Sequence, residues 1–357
     1  MSGVLIFDNS VASVLDRCLD SMEPANVFVI SDTTTSRLVV PKLIERSVHM
    51  RNAKHIVVSE GDINKNIEEL TRVWSFLTHN GATRKSVIVN VGGGVVTDLG
   101  GFASATFKRG VRFVNIPTTL LSAVDASVGG KTGINFESYK NEIGVFRQAD
   151  AVIVSTCFFD TLSEKEFLSG YAEMIKHSLL SGGKDFEALT GNDFPDKRFR
   201  SSDDFLEMLR HSVAVKQSVV NADPEEKGFR RVLNFGHTVG HAFETFAMNE
   251  GNPVPHGYAV AWGMVVELIL SHLKFEFPST VLYRLKDFVL NNYGIFHIDC
   301  DDYSTLLSII GHDKKNICPG SHIMALLRMP GSPVESVDVS ADDIRNAFDI
   351  YRDLFGV

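Results

Sequence analysis

Asn115–Phe146, NIPTTLLSAVDASVGGKTGINFESYKNEIGVF, is the stretch that decides how the rest of the chain is interpreted. Its polar members are of the types that bind ligands: Thr118, Thr119, Asp125, the turn Gly129–Gly133, Lys140 and Asn141. Paired glycines let backbone N–H groups approach a ligand closely, because no Cβ intervenes. A lysine in such a turn supplies a point charge for phosphate. A polar surface loop is the alternative, but the mixture favours a site for a phosphorylated small molecule.

The composition is that of an ordinary globular protein. Its 357 residues, 44% hydrophobic and 22% charged, exceed the usual size of one hydrophobic core and predict two domains. The formal net charge of −9 argues against a nucleic-acid or membrane partner, because no basic stripe is present. Four cysteines without CxxC spacing, and a start that does not resemble a signal peptide, predict a cytoplasmic protein. The longest apolar stretch, Tyr258–Leu270, contains Glu267 and is too short to cross a bilayer.

The N-terminal part alternates short β-branched runs with helical patterns. Strands are predicted at residues 26–30, 54–59, 86–91 and 111–116, and a helix over residues 64–79. This alternation predicts a doubly wound, Rossmann-like α/β domain over residues 1–160. Ligands of such domains bind at the carboxyl ends of the strands.

A glycine-rich turn, GGGVVTDLGG at residues 92–101, follows the strand at 86–91. Such a turn lets the pyrophosphate of a dinucleotide rest on the backbone and the helix N-terminus. It differs from the GxGxxG fingerprint, so a tight turn without a ligand is an equal alternative. Asp32, at the end of the first strand, is predicted either to bind a ribose hydroxyl or to cap its helix. Arg109, taken alone, is an ordinary solvated charge.

Helical periodicity dominates after Thr161 and predicts a mostly α-helical domain over residues 161–357. Glu173 and Lys176 are three residues apart and share a helical face, either as a surface salt bridge or as part of a site. Lys216 lies in a further amphipathic helix, and Arg230 follows an acidic segment. The segment HDKKN at residues 312–316, taken alone, is a solvated loop.

The strongest local signal is NFGHTVGHA at residues 234–242. His237 and His241 are four residues apart on one helical face, where two imidazoles can bind a transition metal or shuttle protons. Histidines satisfied by hydrogen bonds in the core are the alternative. His256 begins a new apolar helix and can face the same pocket. With Glu173 these residues predict a two-histidine, one-carboxylate metal site, and the spacing leaves open whether His241 or His256 is the second histidine ligand.

Together these motifs resemble the sugar-phosphate cyclase superfamily and, within it, the dehydroquinate synthase family. The family's segments occur in order between Asp32 and Asn316: GGGVVTDLGGF, RG before a strand, PTTLL, VDASVGGKTGIN, KNEIGVF, AEMIKH, LNFGHTVGHA, HG and DKK. Three features depart from the family pattern. Asp62 stands where relatives usually have glutamate, Lys108 replaces an apolar residue, and the segment between His241 and His256 is longer than usual. None of these departures removes a group that the chemistry needs.

The resemblance implies three groups of site residues. NAD would be bound by Asp32, Asp62, Lys65, Gly94, Asp98, Thr118, Thr119, Lys140 and Thr156. A divalent metal ion, zinc or cobalt, would be held by Glu173, His237 and His256, which makes His241 a hydrogen-bonding or acid–base residue. The substrate would be contacted by Asp125, Lys131, Asn141, Lys176, Lys216, Arg230, Asn234 and Lys314 or its neighbour. Arg109 would reach the substrate phosphate of the neighbouring subunit, which implies a homodimer.

The implied activity is that of a carbon–oxygen lyase of the shikimate pathway, which converts 3-deoxy-D-arabino-heptulosonate 7-phosphate to 3-dehydroquinate and phosphate. Transient oxidation by NAD at C5 would acidify the C6 hydrogen, so that phosphate leaves by β-elimination. Re-reduction, ring opening and an intramolecular aldol closure would follow. The alternatives are a cyclase acting on sedoheptulose 7-phosphate or glucose 6-phosphate, a metal-dependent NAD alcohol or glycerol dehydrogenase, and a non-catalytic NAD-binding regulator.

Overall fold

The computed structural model describes residues 3–137, 139–182, 184–191, 196–311 and 322–357. The chain separates into two compact units: unit 1 is Met1–Ser163 with Pro195–Val213, and unit 2 is Glu164–Phe194 with Ala214–Val357. The assignment of NAD binding to residues 1–160 and of metal and substrate binding to residues 161–357 stays a prediction.

The described residues form ten strands and fifteen α-helices. The strands are β1 (Val4–Phe7), β2 (Val27–Asp32), β3 (Lys54–Val58), β4 (Val87–Gly92), β5 (Arg112–Pro117), β6 (Lys131–Phe136), β7 (Tyr139–Phe146), β8 (Ala151–Val154), β9 (His322–Leu327) and β10 (Pro333–Val339). The helices are α1 (Val11–Met22), α2 (Thr33–Leu38), α3 (Val40–Arg46), α4 (Val48–Arg51), α5 (Ile67–His79), α6 (Gly94–Thr106), α7 (Glu164–Ser181), α8 (Lys184–Leu189), α9 (Lys197–Arg200), α10 (Asp203–Ala222), α11 (His237–Asn249), α12 (His256–Phe275), α13 (Ser279–Tyr293), α14 (Tyr303–Gly311) and α15 (Ala341–Phe355).

Unit 1 contains a six-stranded parallel sheet with the order β1-β8-β5-β4-β2-β3. The residues of β4 are all buried, as expected for a parallel strand covered by helices on both faces. The predicted Rossmann-like fold is therefore confirmed. After β2 the chain proceeds to β3 on one side, and after β4 it proceeds to β5 on the other, so the strand order reverses between β2 and β4. Ligands of doubly wound sheets bind at such a switch point.

Strands β6 and β7 form an antiparallel hairpin outside the parallel sheet. The predicted turn over Gly129–Gly133 is wrong in its length. Gly129 and Gly130 have positive φ values of 101° and 70° and form the turn, whereas Lys131 begins β6 and Gly133 pairs with Gly144 of β7. The ligand-type residues Lys140 and Asn141 accordingly lie on a strand.

Unit 2 is mostly helical, as predicted, and the two strands among its described residues, β9 and β10, pair antiparallel. Its central helix, α12, extends beyond the predicted apolar stretch at both ends. By length and composition α12 could cross a membrane, but 72% of its most apolar window is buried inside the structure, as in the core helix of a globular protein. The first residue of α12 is His256, which places a candidate metal ligand at the end of a core helix.

Candidate active site

Helix α7 carries two charged residues in the interior of unit 2. Glu173 and Lys176 are 0% and 1% exposed, and Lys176 Nζ is ion-paired with Glu173 Oε2. They share a face, as their spacing predicts, but the pair is buried and is not a surface salt bridge. Removing two charges from water costs free energy that a single ion pair rarely recovers. The pair is therefore a candidate for function instead of stability.

The other carboxylate oxygen of Glu173 faces two imidazoles. His237 Nε2 lies 3.4 Å from Glu173 Oε1, and His256 Nε2 lies 3.8 Å from it. The opposite nitrogens, both Nδ1, bond to the Phe235 carbonyl oxygen and to Glu244 Oε2, each at 3.1 Å. Both partners can only accept hydrogen bonds, so each Nδ1 must donate its hydrogen. In a neutral imidazole the lone pair then lies on Nε2, on the side of Glu173.

Three atoms with lone pairs thus converge in unit 2. Glu173 Oε1 is buried and accepts no hydrogen bond from any described residue. A tetrahedral zinc ion with donors at roughly 2.1 Å holds those donors about 3.4 Å apart, close to the two separations observed. Glu173, His237 and His256 therefore fit a divalent metal ion such as zinc or cobalt.

His241 lies beside this set. Its ring centroid is 5.3 Å from that of His237 and 5.6 Å from that of His256, and the ligand-capable nitrogens of the three histidines lie within 4.8 Å of one another. The contacts to Glu173 come from His237 and His256. This geometry favours His256 over His241 as the second histidine ligand.

Backbone packing sets the position of His256. Gly257 N donates a hydrogen bond to Ser169 Oγ at 3.0 Å, and a Cβ atom at Gly257 would lie 2.0 Å from the Ser169 carbonyl oxygen. Only glycine permits this approach, one helical turn before Glu173 on α7. The glycine next to the histidine therefore serves the contact between two helices.

A buried carboxylate holds the N-terminus of α11. Glu267, on α12, accepts hydrogen bonds from Gly236 N at 2.6 Å and Val239 N at 3.1 Å. The N–H groups at a helix start have no intrahelical partner, and the helix dipole favours a negative charge there. Glu267 therefore fixes the turn from which His237 projects.

Two further predicted cations of unit 2, Lys216 and Arg230, are buried. Arg230 lies in a 3₁₀ turn, and its Nη1 donates to the Pro224 carbonyl oxygen at 2.8 Å. Asn234 ends the same turn, where its Nδ2 contacts Glu226 Oε1 at 3.5 Å. Lysine and arginine are rarely buried, and they are the residues that bind carboxylates and phosphates.

The loop before Arg230 is organised by Asp223. Its carboxylate accepts hydrogen bonds from the backbone N–H groups of Lys227, Gly228 and Arg230 at 2.9, 2.7 and 3.0 Å. These bonds, that from Gly228 foremost, hold the pKa of the Asp223 carboxyl below its usual value. The backbone around Arg230 is thus fixed by an ionised side chain.

In unit 1 the glycine-rich turn joins β4 to α6. Gly94 is the first residue of α6, and Thr118 N donates to the Gly92 carbonyl oxygen at 3.0 Å. A Cβ atom at Gly93 would lie 3.2 Å from Thr119 Cγ2. The turn and the two threonines are therefore adjacent, beside a helix N-terminus of the kind that binds phosphate groups.

Three more predicted residues contact the buried Lys65 of unit 1, and a fourth, Lys140, contacts one of them. Lys65 Nζ lies 3.1 Å from Asp98 Oδ2 and 3.5 Å from Asp62 Oδ1, and it donates to Asn141 Oδ1 at 2.5 Å. Lys140 Nζ lies 3.5 Å from Asp62 Oδ2. The structure thus joins Asn141, predicted to contact substrate, to residues predicted to contact NAD.

Asp32 and Thr156 have structural partners. Asp32 Oδ1 accepts a hydrogen bond from Thr35 N at 2.7 Å, so the predicted helix cap is confirmed, and its ribose contact stays a prediction. Thr156 is buried, and its Oγ1 lies 3.1 Å from Asn9 Oδ1 and 3.2 Å from the Ser202 carbonyl oxygen.

The remaining predicted residues occupy turns and strand ends. Asp125 is half-buried in a π-helical turn, and Lys131 is exposed at the start of β6. Arg109 has a positive φ of 68°. It lines a cavity of about 600 Å³ together with Thr83, Arg84 and Lys108. Lys314 lies outside the described residues.

Two family profiles match consecutive parts of the chain. The profile "3-dehydroquinate synthase N-terminal" matches residues 55–169, and "3-dehydroquinate synthase C-terminal" matches residues 170–316. The chain belongs to the 3-dehydroquinate synthase family. The 3-dehydroquinate synthase of Parabacteroides distasonis is 41% identical over 354 residues, which cover 99% of both chains.

Two solved structures have the fold of this dehydroquinate synthase family member. The 2-epi-5-epi-valiolone synthase from Streptomyces hygroscopicus subsp. jinggangensis, with NAD⁺ and Zn²⁺ bound, superposes with a TM-score of 0.84 at 24% identity, over 99% of this chain and 97% of that one. A 2-deoxy-scyllo-inosose synthase complexed with carbaglucose-6-phosphate, NAD⁺ and Co²⁺ has a TM-score of 0.80 at 23% identity, over 96% and 95%. Similarity at these identities concerns the fold alone.

Three residues of this family member support the site but were not predicted for it. Glu267 and Glu244 hold α11 and His256, and Asn135 bridges two parts of unit 1. For Glu267 the signal was a charged residue inside an otherwise apolar stretch. For Glu244 the signal was its position seven residues after His237, on the same helical face. No sequence pattern pointed to Asn135, because its role depends on which strands and turns meet.

Proposed function

We propose that this chain converts 3-deoxy-D-arabino-heptulosonate 7-phosphate to 3-dehydroquinate and phosphate, with NAD and a divalent metal ion as cofactors. Membership of the dehydroquinate synthase family supports the reaction. The convergence of Glu173, His237 and His256 is the structural observation that carries it. The presence of NAD⁺ with Zn²⁺ or Co²⁺ in two structures of this fold supports the cofactors.

The metal ion would be held by Glu173, His237 and His256. Bound there, zinc or cobalt supplies Lewis-acid chemistry, which acidifies a coordinated substrate hydroxyl and polarises the ketone. Lys176, ion-paired with the second oxygen of Glu173, compensates the negative charge of that carboxylate and orients it. His241, beside the ligand set, would exchange a hydrogen bond or a proton with the substrate.

The substrate carries a carboxylate and a phosphate, and the proposed site supplies fixed cations for both. The residues that would bind and orient it are Asp125, Lys131, Asn141, Lys176, Lys216, Arg230, Asn234 and Lys314. Burial of Lys216 and Arg230 supports this role, because cations already held in place need little reorganisation when the phosphate leaves. Their charge also favours the dianionic phosphate, which can itself accept the C6 proton.

NAD would bind to unit 1. The residues proposed to line it are Asp32, Asp62, Lys65, Gly94, Asp98, Thr118, Thr119, Lys140 and Thr156. The start of α6 at Gly94 supports a pyrophosphate site. Asp32 ends β2 at the switch point of the sheet, where an acidic residue can accept bonds from a ribose. Thr156 Oγ1 would accept a hydrogen bond from NAD, since donating its one hydrogen to Asn9 Oδ1 or the Ser202 carbonyl oxygen leaves its lone pairs available.

The proposed enzyme is a cytoplasmic homodimer of the shikimate pathway that acts on a sugar phosphate, without a nucleic-acid or membrane partner. Arg109 would reach the substrate phosphate bound by the neighbouring subunit. Its position beside Arg84 and Lys108 supports an anion-binding role for this turn.

Phosphate release from the heptulosonate phosphate, with and without a chelator, tests the proposal. We expect release that depends on metal and NAD, with no net NADH, because the hydride returns to the substrate in each turnover. Accumulating NADH would indicate an alcohol dehydrogenase. Turnover of sedoheptulose 7-phosphate or glucose 6-phosphate, with none of the heptulosonate phosphate, would indicate another cyclase.

A further inference from the structure

We propose that Glu244 is a positioning residue that fixes His256 as a metal ligand. The inference rests on the proposed function, in which Glu173, His237 and His256 hold the metal ion. Glu244 lies on α11, two helical turns after His237 and on the same face. Its Oε2 is 3.1 Å from His256 Nδ1, while His256 Nε2 faces Glu173 Oε1 at 3.8 Å.

His256 needs such a partner more than His237 does. The side chain of His237 is 10% exposed and is bonded to the Phe235 carbonyl oxygen, two residues before it. The side chain of His256 is 28% exposed, so packing restricts its ring less. A carboxylate on Nδ1 sets the orientation of the ring, keeps the lone pair on Nε2 and raises its basicity.

The same contact determines which histidine completes the set. His237 and His241 are four residues apart on α11, so this one helix already offers two imidazoles. The bond from Glu244 instead holds an imidazole of α12 against Glu173. Glu244 thereby favours His256 over the neighbouring His241 as the second histidine ligand.

The test is a Co²⁺ titration of the purified 357-residue chain. The visible absorption of bound Co²⁺ reports the affinity. We expect Glu244→Ala to weaken Co²⁺ binding about 10–100-fold, in the range measured for partners of metal-bound histidines. Glu244→Gln keeps a hydrogen-bond acceptor and should lose less. Glu250→Ala, which removes an exposed carboxylate just past the end of α11, is the matched control and should bind Co²⁺ like wild type. The melting temperature of metal-free Glu244→Ala should equal that of metal-free wild type.

A double-variant cycle separates positioning from general damage. In a His256→Ala background, with Co²⁺ titrated to millimolar concentrations, adding Glu244→Ala should cost no more affinity, because the imidazole that Glu244 orients is gone. Three results would overturn the inference. The first is that Glu244→Ala lowers Co²⁺ affinity in the His256→Ala background as much as it does in wild type, and the second is unchanged Co²⁺ affinity in Glu244→Ala alone. The third is that metal-free Glu244→Ala melts at a lower temperature than metal-free wild type. Phosphate release by wild type in the same preparations reports separately on the proposed function. A wild-type chain that binds no Co²⁺ would overturn both.

Discussion

At the scale of single residues, the absence of one methyl group at Gly257 determines how closely two helices approach at the candidate metal site. Alanine is usually the better helix former, by about 1 kcal/mol. Here its Cβ would meet the Ser169 carbonyl oxygen at 2.0 Å. Backbone atoms cannot move aside as a flexible side chain can, so the steric cost outweighs helix propensity.

We expect Gly257→Ala to displace α12 from α7 and to move His256 away from Glu173. Overpacking of this kind lowers the free energy of unfolding by about 1–3 kcal/mol. A ligand misplaced by 1 Å can lower turnover by about 100-fold. Urea unfolding, metal content and phosphate release measure these effects. Gly191→Ala, where the added Cβ makes ordinary contacts of 3.5 Å, is the control. Wild-type metal content in Gly257→Ala would disprove the role assigned to this contact.

At the scale of elements, sequence patterns found the longer buried strands and missed two short strands and a glycine-containing hairpin. The β-branched runs predicted β2, β3, β4 and β5, and the apolar spacing predicted α5. The strands β1 and β8 were not predicted, because an apolar run of four residues cannot be told from a buried helical segment by its period. The β6–β7 hairpin was read as a glycine turn, since its glycines Gly133 and Gly144 face each other across two strands.

One side chain ties this hairpin to the turn that precedes α5. Asn135 Nδ2 donates to the Asp62 carbonyl oxygen at 2.9 Å and to Asp62 Oδ2 at 3.1 Å, and Asn135 Oδ1 accepts from Asn141 N at 3.1 Å. We expect Asn135→Ala to weaken NAD binding about fivefold, since a partly exposed hydrogen bond contributes about 1 kcal/mol. Asn135→Asp should weaken it more, because a second carboxylate repels Asp62.

Isothermal titration with NAD measures both Asn135 variants. Asn292→Ala, which removes an amide bonded only within α13 among described contacts, should bind NAD like wild type. If Asn135→Asp binds NAD as tightly as wild type, the hairpin does not support the dinucleotide site.

The loop that carries Arg230 should respond to acid. Its anchor, Asp223, has a pKa lowered by three backbone N–H groups. The folded pKa lies below the unfolded one, so the stabilisation is complete above the unfolded value and is lost as pH falls through the folded value, below about pH 4. We expect Asp223→Asn to be less stable than wild type from pH 7 to 5, with the difference shrinking at lower pH.

Urea midpoints at successive pH values check this expectation. Asp353→Asn, on the exposed side of α15, serves as the control and should follow wild type throughout. A stability difference between Asp223→Asn and wild type that stays constant down to pH 3 would show that the carboxylate charge does not hold the loop.

At the scale of the whole molecule, an acidic protein buries several of the cations proposed to bind its substrate. The net charge is −9, yet Lys176, Lys216 and Arg230 are buried. The family resemblance predicts all three as substrate contacts, and a site for a phosphorylated acid needs cations whatever the surface charge. The sequence motifs found the spacing of Lys176 and Glu173. They could not indicate that Lys176 and Glu173 form an interior pair, since spacing defines a helical face and tertiary packing decides what covers it.

The proposed homodimer leads to a prediction that the kinetics of a single variant cannot test. If Arg109 acts on the substrate of the neighbouring subunit, Arg109→Ala should raise KM or lower kcat and leave NAD affinity unchanged. His237→Ala should lose metal and activity. A dimer with one subunit of each kind then contains one site with an intact metal set and an intact arginine from the partner. Random mixing makes half the dimers mixed, so about a quarter of wild-type activity should return.

Co-refolding of the two variants, followed by a phosphate-release assay, measures this recovery. Refolded wild type and each variant refolded alone are the controls. Activity no greater than the sum of the separate variants would place Arg109 in its own subunit's chemistry or on an ordinary charged surface. Recovered activity would show that an active site takes its arginine from the other chain, because neither variant alone contains both an intact metal set and Arg109.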